Sequence, residues 1–277
     1  AFLIFPLKVA TTIGKGVINT EIVTLNVITA AVLAAIIWNL LTWWWGLPSS
    51  SSHTLVGGLV GAAVAASGFG SVVYSGVAKI ALFIVVAPVL GMVMSYIISV
   101  AVLHIVKNRS PFGVDKHFRR LQLVSASAFS LGHGGNDAQK SMGIIWVALI
   151  AAGKVTEDSP IDLWIVLSCH GAIALGTLFG GWRIVKTMGQ KITKLKPFEG
   201  FCAETAGAIT LFMATHFGIP VSTTHTITGS IIGVGATKRA SAVQWGVTTK
   251  IFWAWILTIP VSALIGASIF YAIELIF

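Results

Sequence analysis

Three stretches of the sequence gather groups able to do chemistry in surroundings that otherwise offer almost none. SLGHGGNDAQKSMG, residues 130–143, sets Asp137 among Gly132, Gly134 and Gly135, with His133, Asn136, Gln139 and Lys140 close by. PSSSSHT from Pro48 and PVSTTHT from Pro220 each place a proline and a run of hydroxyls between apolar segments. The chemistry these residue types suit is ion binding. A proline frees backbone groups, the hydroxyls donate hydrogen bonds, and a helix starting at Ser or Thr turns its unpaired N–H groups and positive dipole end toward the gap. Two such ends facing one another form a nest for an anion, and no basic side chain need enter. Around Asp137 the glycines would let backbone carbonyls approach a cation that the carboxylate neutralises. The plainer alternative is a glycine-rich break whose aspartate caps the next half-helix. Glu204, in FEGFCAETAGAITLF, is a second candidate for coupling or for a hydrogen-bonded structural role. His53 and His225 either hold substrate or proton or are satisfied by neighbouring backbone.

The elements that position these groups lie in a bilayer. Of 277 residues 56% are apolar and 10% charged, against about 25% charged in ordinary globular domains, and the mean hydropathy is +0.90. At about 20 residues per membrane helix the chain holds on the order of eight to ten hydrophobic segments. They fall near 1–13, 22–47, 53–68, 77–106, 121–152, 161–185, 200–217, 225–237 and 245–277. The short alternating segments of a β-barrel are not seen. The expectation is an all-α, multi-pass membrane protein. Two segments, 53–68 and 225–237, are too short to span, and such re-entrant arms are tolerated only where they are buried in protein or line a wet cavity. At that depth an ionisable residue such as Asp137 is a functional candidate by default, because desolvating it is costly.

The net charge of +9 matters through its placement. Lys107, Arg109, Lys116, Arg119 and Arg120 crowd one connection and Arg183, Lys186, Lys191, Lys194 and Lys196 another, while the one between carries Glu157, Asp158 and Asp162 with only Lys154. Basic loops stay cytoplasmic, so the excess needs no nucleic-acid partner. Cys169 and Cys202 sit in apolar stretches without metal-ligand spacing, and Trp43, Trp44 and Trp45 suit an interfacial belt.

The sequence also repeats itself. GLPSSSSHTLVGGLVG from Gly46 aligns without a gap on GIPVSTTHTITGSIIG from Gly218, at an offset of 172, and TTIGKGVI from Thr11 resembles KTMGQKIT from Lys186, at an offset near 175. The loop charges make the second hairpin enter from the cytoplasmic face and the first from outside, so the copies are inverted, with paired re-entrant helical hairpins meeting near the midplane. The expected division is a first repeat over 1–106, a short cytoplasmic linker over 107–120, and a second, inverted repeat over 121–277.

GHGGNDAQKSMG, GLPSSSSHTLVGGLVG, GFCAETAGA and GIPVSTTHTITGSIIG resemble the PiT family of inorganic phosphate transporters over essentially the whole chain. The resemblance implies a multi-pass protein of the bacterial plasma membrane, not an enzyme, that carries phosphate with a cation by alternating access. It implies no resident cofactor, the co-transported cation being H+, Na+ or a divalent metal travelling as a metal–phosphate complex. Partners would be inorganic phosphate and membrane lipid, with a homodimer open. Carried over residue by residue, it points to Ser50, Ser51, Ser52, Thr54, Asn136, Gln139, Ser222, Thr223, Thr224 and Thr226 for substrate, and to Asn136, Asp137 and Glu204 for the coupling cation, a sodium ion at Asp137 being one form. The family carries an Asn-Asp motif in each half, whereas only the second half shows it here. Subtracting 175 from 137 places the first copy about 38 residues before Ala1, in an expected longer protein. A sulfate transporter and a passive anion channel are the rival readings. An intramembrane hydrolase is disfavoured by the doubled motif and the missing G-x-S-x-G elbow.

Overall fold

A computed structural model describes residues 1 and 3–276. Its α-helices are α1 (Lys8–Gly16), α2 (Leu25–Trp45), α3 (Ser51–Ser67), α4 (Tyr74–Val106), α5 (Pro111–Ala151), α6 (Leu163–Phe179), α7 (Trp182–Lys186), α8 (Pro197–His216), α9 (Thr223–Lys238) and α10 (Trp245–Ile276). Among the described residues there is no β-strand, only an isolated bridge between Ile18 and Val72. Helices α2, α4 and α10 are long and apolar enough to cross a membrane, and α6 joins the segment Trp182–Ile192 in a span bent by 64°.

Helix α5 departs from expectation twice. The basic connection shrinks to residues 107–110, because Ser110 caps the Gly113 N–H and Pro111 opens the helix at once. Its 41 residues reach about 60 Å, twice the hydrocarbon thickness. The basic first turns therefore stand outside the membrane, where Phe118 packs edge-on against Phe198 and Phe201. The glycine-rich stretch is also no break: α5 runs straight through residues 130–143. Its glycines serve close approach instead. A Cβ at Gly143 would overlap the Ala10 carbonyl, and one at Gly135 would come 2.6 Å from the Phe5 ring. The carbonyls of this stretch remain in the helical ladder and are not turned toward a cation.

Two hairpins, α2–α3 and α8–α9, carry the hydroxyl motifs at their turns. Each first arm ends near a left-handed glycine, Gly46 at φ 67° and Gly218 at φ 68°, a conformation that only glycine adopts without cost. Contacts along the helices establish their directions. Trp38 meets Thr258 and Asn26 meets Glu274, so α2 is antiparallel to α10 and α3 runs with α10. Helix α9 runs against α10, because its end leads into the start of α10 while His225 at its own start stacks on Trp255. The equivalent arms α3 and α9 thus enter from opposite sides and meet start to start, as an inverted repeat requires.

The copies interlock. Arm α3 lies on α10 and arm α9 on α4, through the repeat-related pairs Gly57 with Gly229 and Gly61 with Gly233, each set against a helix with a mid-span proline, Pro260 or Pro88. Each hairpin turn is also held by a short segment of the other half. Thr12 donates to the Gly218 carbonyl at 2.9 Å, with Lys8 reaching the His216 carbonyl at 3.4 Å. In the related position Thr187 donates to the Gly46 carbonyl at 3.0 Å and Arg183 to the Trp44 carbonyl at 2.6 Å.

Because a Cβ at Gly61 would overlap the Ala263 backbone, Gly61→Val is expected to cost about 3 kcal/mol or more. Gly176→Ala, which meets nothing within 4 Å, is expected to be nearly silent. Thermal unfolding of the two purified variants in detergent checks the difference.

Candidate functional site

The site is built where α5 passes the two hairpin turns. Asp137, Lys140 and His133 fall on one face of α5 at spacings of three and four. Lys140 is 3% exposed, and its ammonium has three oxygen partners at hydrogen-bond distance. They are Asp137 Oδ1 at 2.6 Å, Ser52 Oγ at 2.5 Å and the Val221 carbonyl at 2.6 Å. Those three acceptors satisfy all three of its N–H donors, and they belong to α5, to the start of α3 and to the turn before α9. The other carboxylate oxygen of Asp137 accepts from Thr223 Oγ1 at 2.8 Å and lies 3.0 Å from His133 Nε2. One buried ion pair therefore ties both hairpins to α5. A basic side chain thus enters between the helix starts, which the hydroxyls and N–H groups alone did not require.

The hydroxyls divide into two kinds. Ser50 and Ser222 are N-caps, accepting from the N–H groups of His53 and His225 at 3.3 and 3.2 Å. Thr54 and Thr226 bond back to the carbonyls of those same caps at 2.8 and 3.0 Å, and Thr54 also donates to Asn39. These four shape the helix starts. Ser51, Ser52, Thr223 and Thr224 occupy the first two positions of α3 and α9, where backbone N–H groups have no intrahelical acceptor. Ser51 is exposed to a cavity of about 510 Å³ that it lines with His133, Asp137 and Ser141. It also borders a second cavity of about 290 Å³ with Asn39 and Ser141.

The remaining candidates lie apart from this gap or on its edge. Asn136 is fully buried and donates to Thr215 Oγ1 at 3.1 Å and the Ile219 carbonyl at 3.3 Å, fixing the end of α8, while its Oδ1 has no partner. Gln139 faces α1: its Oε1 accepts from the N–H groups of Val9 and Ala10 at 2.9 and 3.3 Å, and its Nε2 donates to the Pro6 carbonyl at 3.0 Å. It thereby supplies the cap that Leu7 lacks. Glu204 accepts from Ser125 Oγ at 2.6 Å and from Gln122. Ser125 is 12 residues before Asp137, about 18 Å along α5, so Glu204 does not join the central cluster. Lys140, noted beside Asp137 in the sequence but given no role there, carried its signal in the i, i+3 spacing from Asp137.

Removing one partner of a buried ion pair leaves the other charge uncompensated, at a typical cost of about 3–5 kcal/mol. Asp137→Asn is expected to destabilise the protein on that scale, and Asp137→Asn with Lys140→Met to recover most of the loss. Unfolding temperatures of the single and double variants check this.

Known proteins place this arrangement in context. The model of the phosphate transporter family matches residues 1–266. A probable low-affinity inorganic phosphate transporter of Rhizobium meliloti is 57% identical over the whole chain and 83% of its own length. One of the same description from Bacillus subtilis is 44% identical, over 97% of this chain and 81% of its own. A solved structure described as "The sodium-dependent phosphate transporter" superposes with a TM-score of 0.87 at 26% identity, covering 99% of this chain and 86% of that one. The relatives are named as transporters and not as enzymes. With its apolar spans and its paired, inverted hairpins, the chain belongs to the phosphate transporter family, as a multi-pass protein of the plasma membrane.

Proposed function

We propose that the chain carries inorganic phosphate across the membrane by cation-coupled symport with alternating access. The observation that supports this reading most is the Asp137–Lys140 pair, which bridges two apposed helix starts. A phosphate in the gap is held by the N–H groups and hydroxyls of Ser51, Ser52, Thr223 and Thr224, with Lys140 supplying charge.

Coupling follows from what that anion displaces. In the structure Lys140 and Thr223 are committed to Asp137. An anion that draws them toward itself leaves the carboxylate uncompensated in a low-dielectric setting, which is costly. A cation restores neutrality, and Asn136 Oδ1, buried and unpartnered, provides a neighbouring oxygen. Anion and cation then bind together. Sodium or a proton fits this role, and the similar solved structure is described as sodium-dependent. Because the hairpins enter from opposite faces, releasing one turn at a time exposes the gap to one side at a time.

Uptake into proteoliposomes under an imposed sodium gradient and, separately, an imposed pH gradient tests the reading. Accumulation of phosphate under one of them is the expected result. Equilibration without accumulation would show a passive anion pathway, and equal competition by sulfate a general tetrahedral-anion carrier. A hydrogen bond to a charged group is worth about 1.5–3 kcal/mol. Ser51→Ala and Thr223→Val should therefore each weaken phosphate binding roughly ten- to a hundredfold, and the double variant should be non-additive because both hydroxyls share one ligand.

A further inference from the structure

His53 and His225 are related by the repeat and lie three residues after the caps of their helices. They meet across the midline with ring centroids 4.7 Å apart and planes inclined by 62°. Both are buried, at 1% and 0% exposure. Nδ1 of His53 and both ring nitrogens of His225 have no hydrogen-bond partner. Buried polar groups in folded proteins are nearly always satisfied, and neither the hairpin caps nor the Asp137–Lys140 pair uses these nitrogens.

The surroundings specify what such a pair can hold. The charged groups acting on it are both on α5: Lys140, which acts on both rings, and Asp137, which acts on His53. Helix α4 brings the Ile84 carbonyl against His225 without completing a hydrogen bond. Helix α10 brings no charge to the pair but the face of Trp255, stacked on His225 at 3.8 Å and 23° and anchored by its indole N–H to the Pro48 carbonyl at 3.1 Å. An indole face at that distance favours an imidazolium over an imidazole, whereas the Lys140 ammonium opposes a second positive charge. The balance changes when an anion enters the gap between the two helix starts.

We propose that the His53–His225 pair is a proton-binding site, separate from the Asp137 carboxylate, that takes up one proton from water when phosphate binds and returns it when phosphate leaves. This rests on the reading that the gap holds phosphate. On binding, an unpaired ring nitrogen accepts the proton and one ring becomes an imidazolium, over the Trp255 face and beside the anion. On release the N–H bond breaks and the proton goes to water on the side to which phosphate departs. One proton then moves with each phosphate.

The full chain, labelled with 15N-histidine and reconstituted in lipid nanodiscs, is examined by NMR at pH 7.5 with and without inorganic phosphate, binding being followed in parallel with radiolabelled phosphate. In the NMR spectra His53→Asn and His225→Asn assign the two rings. The expected result is two neutral imidazoles without phosphate and one imidazolium with it. As a second measure, the ratio of wild-type to His225→Asn phosphate affinity should fall up to tenfold per pH unit between pH 6.5 and 8.5, phosphate's own ionisation cancelling in the ratio. Phosphate binding with both rings neutral throughout, or a ring already charged without phosphate, overturns the proton site and leaves the phosphate reading intact. Failure of the wild-type chain to bind phosphate overturns that reading itself.

Discussion

An ammonium group at membrane depth constrains everything around it. Burying Lys140 in hydrocarbon-like surroundings is expensive unless each of its three N–H groups finds an acceptor and its charge finds a partner. The three acceptors lie on separate elements, Asp137 on α5, Ser52 at the start of α3 and Val221 before α9. The cost of leaving any of them unmade thus selects the arrangement in which both hairpin turns close on α5. Neighbouring features serve that arrangement: Thr223 and His133 occupy the second oxygen of Asp137, Asn136 fixes the end of α8, and Gln139 fixes the start of α1.

The second constraint is backbone proximity. In lipid the attraction between helices comes mainly from close packing and hydrogen bonds, so small residues sit at the crossings. Glycines in α3 and α9 let each arm rest on the long helix of the other repeat. The interlock means that neither half completes its packing alone. The turns that bear the hydroxyl motifs are held by Thr12 and Thr187 across the repeat boundary.

Much of this was legible in the sequence, because local physics decides it. The helix starts at the two hydroxyl runs, the short arms and the inverted duplication follow from residue type and a constant offset. So does the importance of Asp137, since a carboxylate in an apolar stretch carries its own cost. The differences between the sequence reading and the structure share one source. Glycines around Asp137 suggested a break, but on a continuous helix residues three apart share a face while those two apart diverge. That phase sends Lys140 toward the hairpins and Gln139 toward α1. Helix length likewise puts Glu204 against Ser125, away from the central cluster.

From the sequence alone came the bilayer environment, the two hydroxyl hairpins and their relation by inversion, since composition, capping and repeat spacing act within a few residues or along the chain. Only the tertiary structure decided that a lysine enters the gap between the two hairpin turns, that Asn136 keeps an unpartnered oxygen, and that His53 and His225 touch beneath Trp255. Those facts depend on how elements distant in the chain pack together, and on which buried polar atoms remain unmatched once they do.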